Sequence, residues 1–339
     1  MTPAGLDLDA LAAYLVRHRP DLAPGAFSGE LIAGGRSNLT YTVHSGEIEY
    51  VLRRPPLGHV LATAHDMGRE FRVISALAPT PVPVPDALLL CTDPEVLGAP
   101  FYLMSLVPGV VYRSRSQTDG LTDAARADLA YAMIDTLADL HAVDPDAVGL
   151  GDFGRPDGYL ARQVRRWSQQ LDNSRSRDLP GIDELRDRLA TSVPSGGPAR
   201  IVHGDYRLDN LLADPETRRV AAVLDWEMAT LGDPLADLGL LLTYWDVMGE
   251  RGDNPVADGL GPKAGFPDGA ALIERYAARS GTRIPNLAWY IALGCYKLAV
   301  ICEGIHYRYT LGLTVGEGFD RMGTMVAPLV AGGLSTLSD

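Results

Sequence analysis

Asp205, Asn210 and Asp225 are the residues of this sequence whose types and spacing most clearly suggest chemistry. Asn210 precedes the apolar run 211–213, and Asp225 follows a second, β-branched apolar run, 220–224, after a turn-forming Asp-Pro-Glu-Thr segment. We therefore expect a hairpin that returns Asn210 and Asp225 side by side, near Asp205. Mg²⁺ takes a few protein oxygens as ligands, and a free carboxylate can orient an attacking hydroxyl. The pattern predicts phosphoryl transfer with Asn210 and Asp225 as metal ligands and Asp205 as the catalytic carboxylate.

The motif around these residues resembles that of a known family. His203-Gly-Asp-Tyr-Arg-Leu-Asp-Asn, followed by Leu224-Asp-Trp-Glu, is similar to the catalytic loop and metal-binding segment of protein kinases. This version of the motif is typical of the aminoglycoside phosphotransferase and choline kinase family. The resemblance implies an α+β, two-lobed protein-kinase-like fold and the cofactors ATP (or GTP) and Mg²⁺. The alternative is a capped turn, because Asp and Asn are common loop residues.

A glycine-bearing turn upstream is suited to covering a triphosphate. Gly34, Gly35, Ser37 and Asn38 lie between two apolar runs. Successive backbone N–H groups in such a turn can form an anion-binding nest. We therefore expect these four residues to bind nucleotide phosphates, the alternative being an ordinary Gly-Gly hairpin.

A cation and a carboxylate follow in the order that a kinase uses them. Arg53 falls where the resembled kinases place a lysine, and a guanidinium binds phosphate as a planar, permanently charged fork. Arg54 points to the opposite face of the strand. An apolar repeat predicts a helix over residues 65–78, with Glu70 on the flank of its apolar stripe. Glu70 is expected to pair with Arg53, the alternative being a solvated helix residue.

The resemblance also places a hinge near Met104. An apolar strand there runs into a Pro-Gly break, and in the related kinases backbone groups at this crossing receive the adenine ring. We expect Met104 to lie at the nucleotide base. The predicted domains are a small antiparallel-sheet lobe, residues 1–104, and a larger, mainly helical lobe, residues 105–339.

The acceptor is the least constrained part of the prediction. Together with Val51-Leu-Arg-Arg-Pro-Pro and Asp66-Met-Gly-Arg-Glu, the motifs look most like the kinase domains fused to some acyl-CoA dehydrogenases. That resemblance implies a small-molecule hydroxyl acceptor of the hydroxyacyl type, with Glu303, His306 and Arg308 as candidate acceptor residues. An aminoglycoside-modifying enzyme with the same machinery remains open. So does a nucleotide-binding pseudokinase that regulates a partner, since arginine replaces the lysine.

Several polar residues are expected to support the site without taking part in chemistry. Asp233 and Asp237 resemble carboxylates that hold the catalytic loop, and Asp237 would otherwise cap a helix over residues 238–244. His203 is expected to orient the loop, and His141 to pack between helices. Segment 249–268, rich in Gly, Pro and Asp, is either a lid or a long surface loop.

Composition limits the remaining possibilities. The net charge of −13 argues against nucleic-acid binding, which usually needs a basic face. Three cysteines do not suggest a disulfide framework, and no export signal is evident, so we expect a cytoplasmic protein. The apolar stretch 284–305 contains Lys297 and Glu303, which favours a core helix over a membrane span. The sequence does not indicate an oligomeric state.

Overall fold

The computed structural model describes residues 3–32, 38–57, 66–249, 259–314 and 318–338. The chain divides into two compact units. Unit 1 comprises residues 1–109 and 221–229, and unit 2 comprises residues 110–220 and 230–339. The predicted phosphate-binding residues Gly34, Gly35 and Ser37 and the part 250–258 of segment 249–268 lie outside the described residues.

Unit 1 is built on an antiparallel sheet. Its elements are α1 (Leu8–His18), β1 (Phe27–Leu31), β2 (Leu39–Ser45), β3 (Ile48–Arg54), α2 (Met67–Leu77), β4 (Ala87–Cys91), α3 (Pro94–Leu97) and β5 (Phe101–Ser105). The five strands follow the order β1-β2-β3-β5-β4. Alternation along β3 buries Tyr50 and Leu52 in a core shared with α1, while Arg53 is paired with Tyr102 of β5 in the strand register. The sheet thus sets the position of the predicted phosphate-binding cation.

Helix α2 buries a carboxylate beside its apolar residues. Asp66 caps the helix by accepting a hydrogen bond from the Arg69 amide at 3.0 Å. The buried face includes Glu70 itself, together with Val73 and Leu77. The predicted position of Glu70, on the flank of the apolar stripe, is wrong. The helix is rotated so that this residue faces inward.

Unit 2 is mainly helical. Its elements are α4 (Arg115–Thr118), α5 (Asp123–Ala142), α6 (Tyr159–Ser174), α7 (Ile182–Thr191), β6 (Arg200–Val202), β7 (Leu211–Ala213), β8 (Val220–Val223, which continues into unit 1), β9 (Thr230–Gly232), α8 (Leu235–Leu242), α9 (Gly269–Ser280), α10 (Leu287–Thr310) and α11 (Val326–Thr336). Strand β6 pairs with β9, and β7 pairs with β8, as the predicted hairpin requires. Asp214 closes that hairpin by accepting the amides of Glu216 and Thr217.

Helix α10 is the central helix of unit 2. It packs against α6, α7, α8 and α11. It is long and apolar enough to cross a membrane by composition, but 72% of its most apolar window is buried within the protein, as in a core helix. Helix α8 begins at Leu235, before the predicted start, so Asp237 lies in its first turn and does not precede the helix.

Candidate active site

An ion-pair cluster in unit 1 surrounds Arg53. The guanidinium Nε lies 2.8 Å from Oε2 of Glu70, and Nη2 contacts Oδ1 of Asp225. A second carboxylate, that of Glu227, lies 3.9 Å from Nη2. The predicted Arg53–Glu70 ion pair is therefore confirmed. The role of these two residues in nucleotide binding stays a prediction.

Burial and charge together determine the ionisation of this cluster. Burial by itself would lower the pKa of Arg53, but the charges of Glu70, Asp225 and Glu227 raise that pKa above its usual value. Burial raises the pKa of Glu70, and the positive charge of Arg53 opposes that rise. Arg53 is thus a fixed positive charge near the carboxyl end of β3, the central strand of the sheet.

Glu70 has a complete set of hydrogen-bond donors. Its side chain is 1% exposed; Oε1 accepts from Nδ2 of Asn38 at 3.0 Å, and Oε2 accepts from the hydroxyl of Tyr102 at 3.0 Å. Tyr102 had no signal in the sequence beyond its place on an apolar strand. It became recognisable only through the pairing of β3 with β5, which places it beside Arg53.

Asn38 is buried within the same cluster. It is 2% exposed, and its Nδ2 also donates to Oε2 of Glu227 at 3.1 Å. The side-chain amide therefore holds two carboxylates, and its predicted phosphate contact stays a prediction. Glu227 was not singled out from the sequence, although the Asp-Trp-Glu motif contains it.

Asp225 and Met104 are also in unit 1. Asp225 has a left-handed backbone, φ 64°, which Asp tolerates better than most residues, and begins a 3₁₀ turn over Trp226–Met228. Its carboxylate is 31% exposed and so retains access to a ligand. Met104 is buried on β5 opposite Val51, and the next residue, Ser105, accepts the amide of Asp86 with its hydroxyl. The contact of Met104 with a base stays a prediction.

The predicted catalytic loop in unit 2 is held by Asp237. This residue is 1% exposed, and its carboxylate accepts the amides of His203 at 2.6 Å and Gly204 at 2.8 Å. His141 lies 3.3 Å from the same carboxylate and 2.7 Å from the hydroxyl of Tyr276. Burial would raise the pKa of Asp237, but the hydrogen bond and charge of His141 lower it. Asp237 holds the loop as expected, and His141 belongs to this network and does more than pack.

Asp233 has a different role from the one expected. Its carboxylate accepts the amides of Gly197 and Leu235 at 3.0 Å and the hydroxyl of Tyr290 at 2.9 Å. Asp233 therefore fixes the segment before β6 to α8 and α10. It does not bond directly to the His203-Gly-Asp segment, so this part of the prediction is wrong.

Asp205 is an oriented carboxylate. Oδ1 accepts from the hydroxyl of Tyr244 at 3.0 Å, and Oδ2 accepts from Nδ2 of Asn210 at 3.1 Å. Burial would raise the pKa of Asp205, but the charges of Arg207 and Lys297 lower it below its usual value. An ionised, oriented carboxylate of this kind can accept the proton of an attacking hydroxyl.

Asn210 has one oxygen left for a ligand. Its Nδ2 donates to both the backbone oxygen and the carboxylate of Asp205, so Oδ1 is directed away from these contacts. Across the described residues, no group of three or more His, Cys, Asp or Glu is arranged to hold a metal. Mg²⁺ does not require such a group, because it commonly takes one or two carboxylates and completes its shell with phosphate and water. The donor set of Asn210 and Asp225 fits that chemistry, and their proximity to each other stays a prediction.

Glu303 corrects the expectation for the acceptor site. It is fully buried, and its carboxylate accepts from Nε and Nη2 of Arg177 at 3.0 and 2.9 Å and from the hydroxyl of Ser176 at 3.0 Å. Glu303 therefore holds the segment after α6 against α10, and its oxygens are occupied. The acceptor roles of His306 and Arg308 stay predictions.

Comparison with known proteins identifies a family for this chain. The profile of the Phosphotransferase enzyme family matches residues 28–280. Acyl-CoA dehydrogenase family member 11 from Gallus gallus is 37% identical over 337 residues, which is 97% of this chain and 43% of that protein. Family member 10 from Mus musculus is 36% identical over 90% of this chain and 28% of its own length. The chain thus spans less than half the length of these curated relatives.

Solved structures agree on the fold. A candidate aminoglycoside phosphotransferase from Ralstonia eutropha is 34% identical, with a TM-score of 0.85 and 98% of both chains covered. A macrolide 2′-phosphotransferase from Brachybacterium faecium is 24% identical, with a TM-score of 0.61, and covers 95% of this chain and 99% of its own. The predicted kinase-like fold, with an antiparallel sheet and a larger helical part, is confirmed. The chain belongs to the Phosphotransferase enzyme family.

Proposed function

We propose that this chain is a kinase that transfers the γ-phosphoryl group of ATP to a hydroxyl group of a small molecule. The observation that carries the proposal is the environment of the Asp205 carboxylate. It is ionised, held by Tyr244 and Asn210, and supported by a loop whose amides bind Asp237. These are the properties needed to orient an acceptor hydroxyl and receive its proton.

The cluster around Arg53 supplies the nucleotide side of the proposal. Arg53 binds the α- and β-phosphates, and Glu70 keeps its guanidinium in place. The backbone around Gly34, Gly35, Ser37 and Asn38 covers the phosphates, and Met104 lies at the base. Two solved structures with the same fold contain GDP with kanamycin and ADP with hygromycin B, which supports a nucleotide as co-substrate.

Magnesium is the metal we propose, with Asn210 and Asp225 as its protein ligands. When bound, it would neutralise charge on the transferred phosphoryl group. The residues of this chain would do the rest: Asp205 holds and deprotonates the hydroxyl, and Arg53 binds the phosphates. Because the transition state of phosphoryl transfer is loose, positioning and charge neutralisation supply most of the catalysis.

We further propose an acceptor of the hydroxyacyl type. Arg207 and Lys297 are the positive charges that act most strongly on Asp205. Positive charge beside this carboxylate suits an acceptor that carries a phosphate or a carboxylate. The relatives named acyl-CoA dehydrogenase family members, at 37 and 36% identity, support the same choice.

A phosphorylation assay tests the proposal directly. The protein is incubated with Mg²⁺ and ATP or GTP, and hydroxyacyl thioesters and kanamycin-type aminoglycosides are screened by mass spectrometry for the gain of one phosphoryl group. Asp205→Asn is the matched negative control. Phosphorylation of a thioester by the wild type alone supports the proposal; phosphorylation of aminoglycosides alone identifies the alternative enzyme. Thermal stabilisation by Mg²⁺ and ATP with no turnover on any acceptor would instead indicate a pseudokinase.

We also propose a cytoplasmic location. Cys91, Cys295 and Cys302 are all buried free thiols. Burial raises the pKa of Cys295 and of Cys302 to about 12, which keeps both thiols protonated and unreactive. Buried thiols of this kind suit a reducing compartment. Fractionation of the source cells, followed by detection of the protein in the cytosolic fraction, is the test.

A further inference from the structure

Lys297 occupies an unusual position in the core of unit 2. It lies on α10, whose other inward-facing residues are mostly apolar, and it is partly buried. Its Nζ donates a hydrogen bond to the backbone oxygen of Gly204 at 2.5 Å. The same ammonium lies 5.5 Å from the centre of the Trp167 ring, within the range of a cation–π contact. Moving a lysine charge out of water is costly, so these contacts compensate for its position.

The bond to Gly204 acts on one particular peptide plane. The oxygen of Gly204 and the amide of Asp205 belong to the same peptide bond. The oxygen accepts from Lys297, and the amide donates to Nδ1 of His203 at 3.2 Å. Gly204 has φ +84°, a left-handed conformation that glycine adopts about as readily as a right-handed one, so glycine itself does little to fix this peptide.

We propose that Lys297 is a positioning residue that fixes the Gly204–Asp205 peptide plane and so the direction of the Asp205 carboxylate. Asp237 holds the amide of Gly204, at 2.8 Å, on one side of that residue. Lys297 holds its oxygen on the other side. The turn before Asp205 is therefore restrained from two elements, α8 and α10, and losing either restraint lets the carboxylate move.

The charges around Lys297 agree with this role. Burial lowers the pKa of Lys297, the carboxylates of Asp205 and Asp237 raise it, and Arg166 and Arg207 lower it again. In return, the positive charge of Lys297 is one of those that lower the pKa of Asp205. Lys297 therefore lies among the carboxylates that surround the catalytic loop while its ammonium holds the Gly204–Asp205 peptide.

The test compares Lys297→Met with a matched variant of the adjacent residue. Methionine keeps the length of the side chain and removes its charge and donors. Tyr296→Phe removes one part-buried hydrogen bond, between the hydroxyls of Tyr296 and Ser168 at 3.2 Å, from the same turn of α10, and Tyr296 makes no contact with the catalytic loop in this proposal. For each protein, kcat, the KM for ATP and the melting temperature are measured.

The inference rests on the proposed function, and its signature is a separation of kcat from KM. Hydrogen bonds to charged groups are worth enough that K297M should lower kcat by roughly 10- to 100-fold. The KM for ATP should stay within about threefold of the wild type, because Lys297 binds no nucleotide group in this proposal. Y296F should keep the wild-type kcat. An unchanged kcat in K297M, or an equal fall in Y296F, overturns the inference.

A second measurement does not depend on turnover. Amide hydrogen exchange of the peptide that contains residues 203–206 should be faster in K297M than in the wild type or Y296F, because the turn loses a restraint. If the wild type phosphorylates no acceptor, the proposed function fails. Hydrogen exchange then decides the inference alone: equal exchange in all three proteins refutes it.

Discussion

Glu70→Gln is the substitution for which the structure gives the most detailed expectation. Both carboxylate oxygens of Glu70 face donors: Asn38 at one oxygen, and Tyr102 and Arg53 at the other. A glutamine has one acceptor oxygen, so in either orientation its NH₂ group faces a donor. Asn38 cannot compensate by turning its own amide, because its Nδ2 also donates to Glu227 at 3.1 Å. The substitution therefore leaves a buried donor unsatisfied and removes the charge opposite Arg53.

The magnitude follows from these two losses. An unsatisfied buried donor costs about 1–3 kcal/mol, and removing one partner of a buried ion pair costs about 3–5 kcal/mol. Arg53 keeps its contact with Asp225, so we expect the lower end, a loss of about 3 kcal/mol in the free energy of unfolding. The melting temperature should fall by roughly 6 °C or more. Denaturant and thermal unfolding at neutral pH measure both quantities.

The matched control makes the same chemical change at an exposed ion pair. Glu184 lies 2.6 Å from Arg188 on α7, and both side chains are about half exposed, at 54% and 45%. Exposed helix pairs are worth only about 0.3–0.5 kcal/mol, so Glu184→Gln should change the stability little. If Glu70→Gln is as stable as this control, the buried cluster does not stabilise unit 1, and the reasoning above is refuted.

Three further predictions concern Asp205, Asp237 and the neighbouring arginines Arg53 and Arg54. Asp205→Asn should lower kcat by about 10³-fold without changing the Kd for nucleotide, because the loss is confined to the acceptor hydroxyl; kcat near the wild-type value in single-turnover measurements would contradict this. Asp237 has a pKa below its usual value, so its contribution to stability is present above about pH 4 and is lost as the pH falls through the folded-state pKa. As the pH is lowered from 7 to 3, the free energy of unfolding should therefore fall more steeply in the wild type than in Asp237→Asn. Parallel curves for the two proteins would show that Asp237 makes no such contribution. Arg54→Met should lower the free energy of unfolding by about 2–4 kcal/mol while preserving nucleotide affinity, because the buried Arg54 side chain donates to the backbone oxygens of Gly5 and Leu97. Arg53→Met should instead weaken nucleotide affinity. Calorimetric titration of both variants with ATP measures this difference, and weaker binding by Arg54→Met than by Arg53→Met would contradict the assignment.

The fold and the site could be predicted from the sequence wherever periodicity or a compact motif determined the structure. Alternation along β3 separated Arg53 from Arg54 correctly, and the turn chemistry after residue 213 predicted the β7–β8 hairpin. The motif predicted that Asn210 lies near Asp205, and its Nδ2 donates to the Asp205 carboxylate at 3.1 Å. These features depend on residues close together in the chain.

Residues distant in sequence were the ones that sequence reasoning missed. Tyr102 and Lys297 contact the candidate site from separate elements, and nothing local distinguishes them from other residues of their types. Glu227 lies within the Asp-Trp-Glu motif, but its partner Asn38 is 189 residues away. The prediction for Glu303 was wrong in a different way. This residue was expected in the acceptor site, whereas its carboxylate forms an ion pair with Arg177, 126 residues away in the sequence. The rotation of α2 that buries Glu70 likewise depends on partners from β5 and on Arg53.

The discontinuity of unit 1 has a consequence for biosynthesis. Its sheet is complete by residue 105, yet Asp225 and Glu227, which neutralise Arg53 and hold Asn38, are translated more than one hundred residues later. A nascent chain or fragment that ends at residue 109 has to bury a guanidinium with only one of its carboxylate partners, which is unfavourable. We therefore expect the amino-terminal portion to remain loosely packed on the ribosome until the Asp-Trp-Glu segment emerges, and to need that segment, supplied as a peptide, before it becomes resistant to proteolysis.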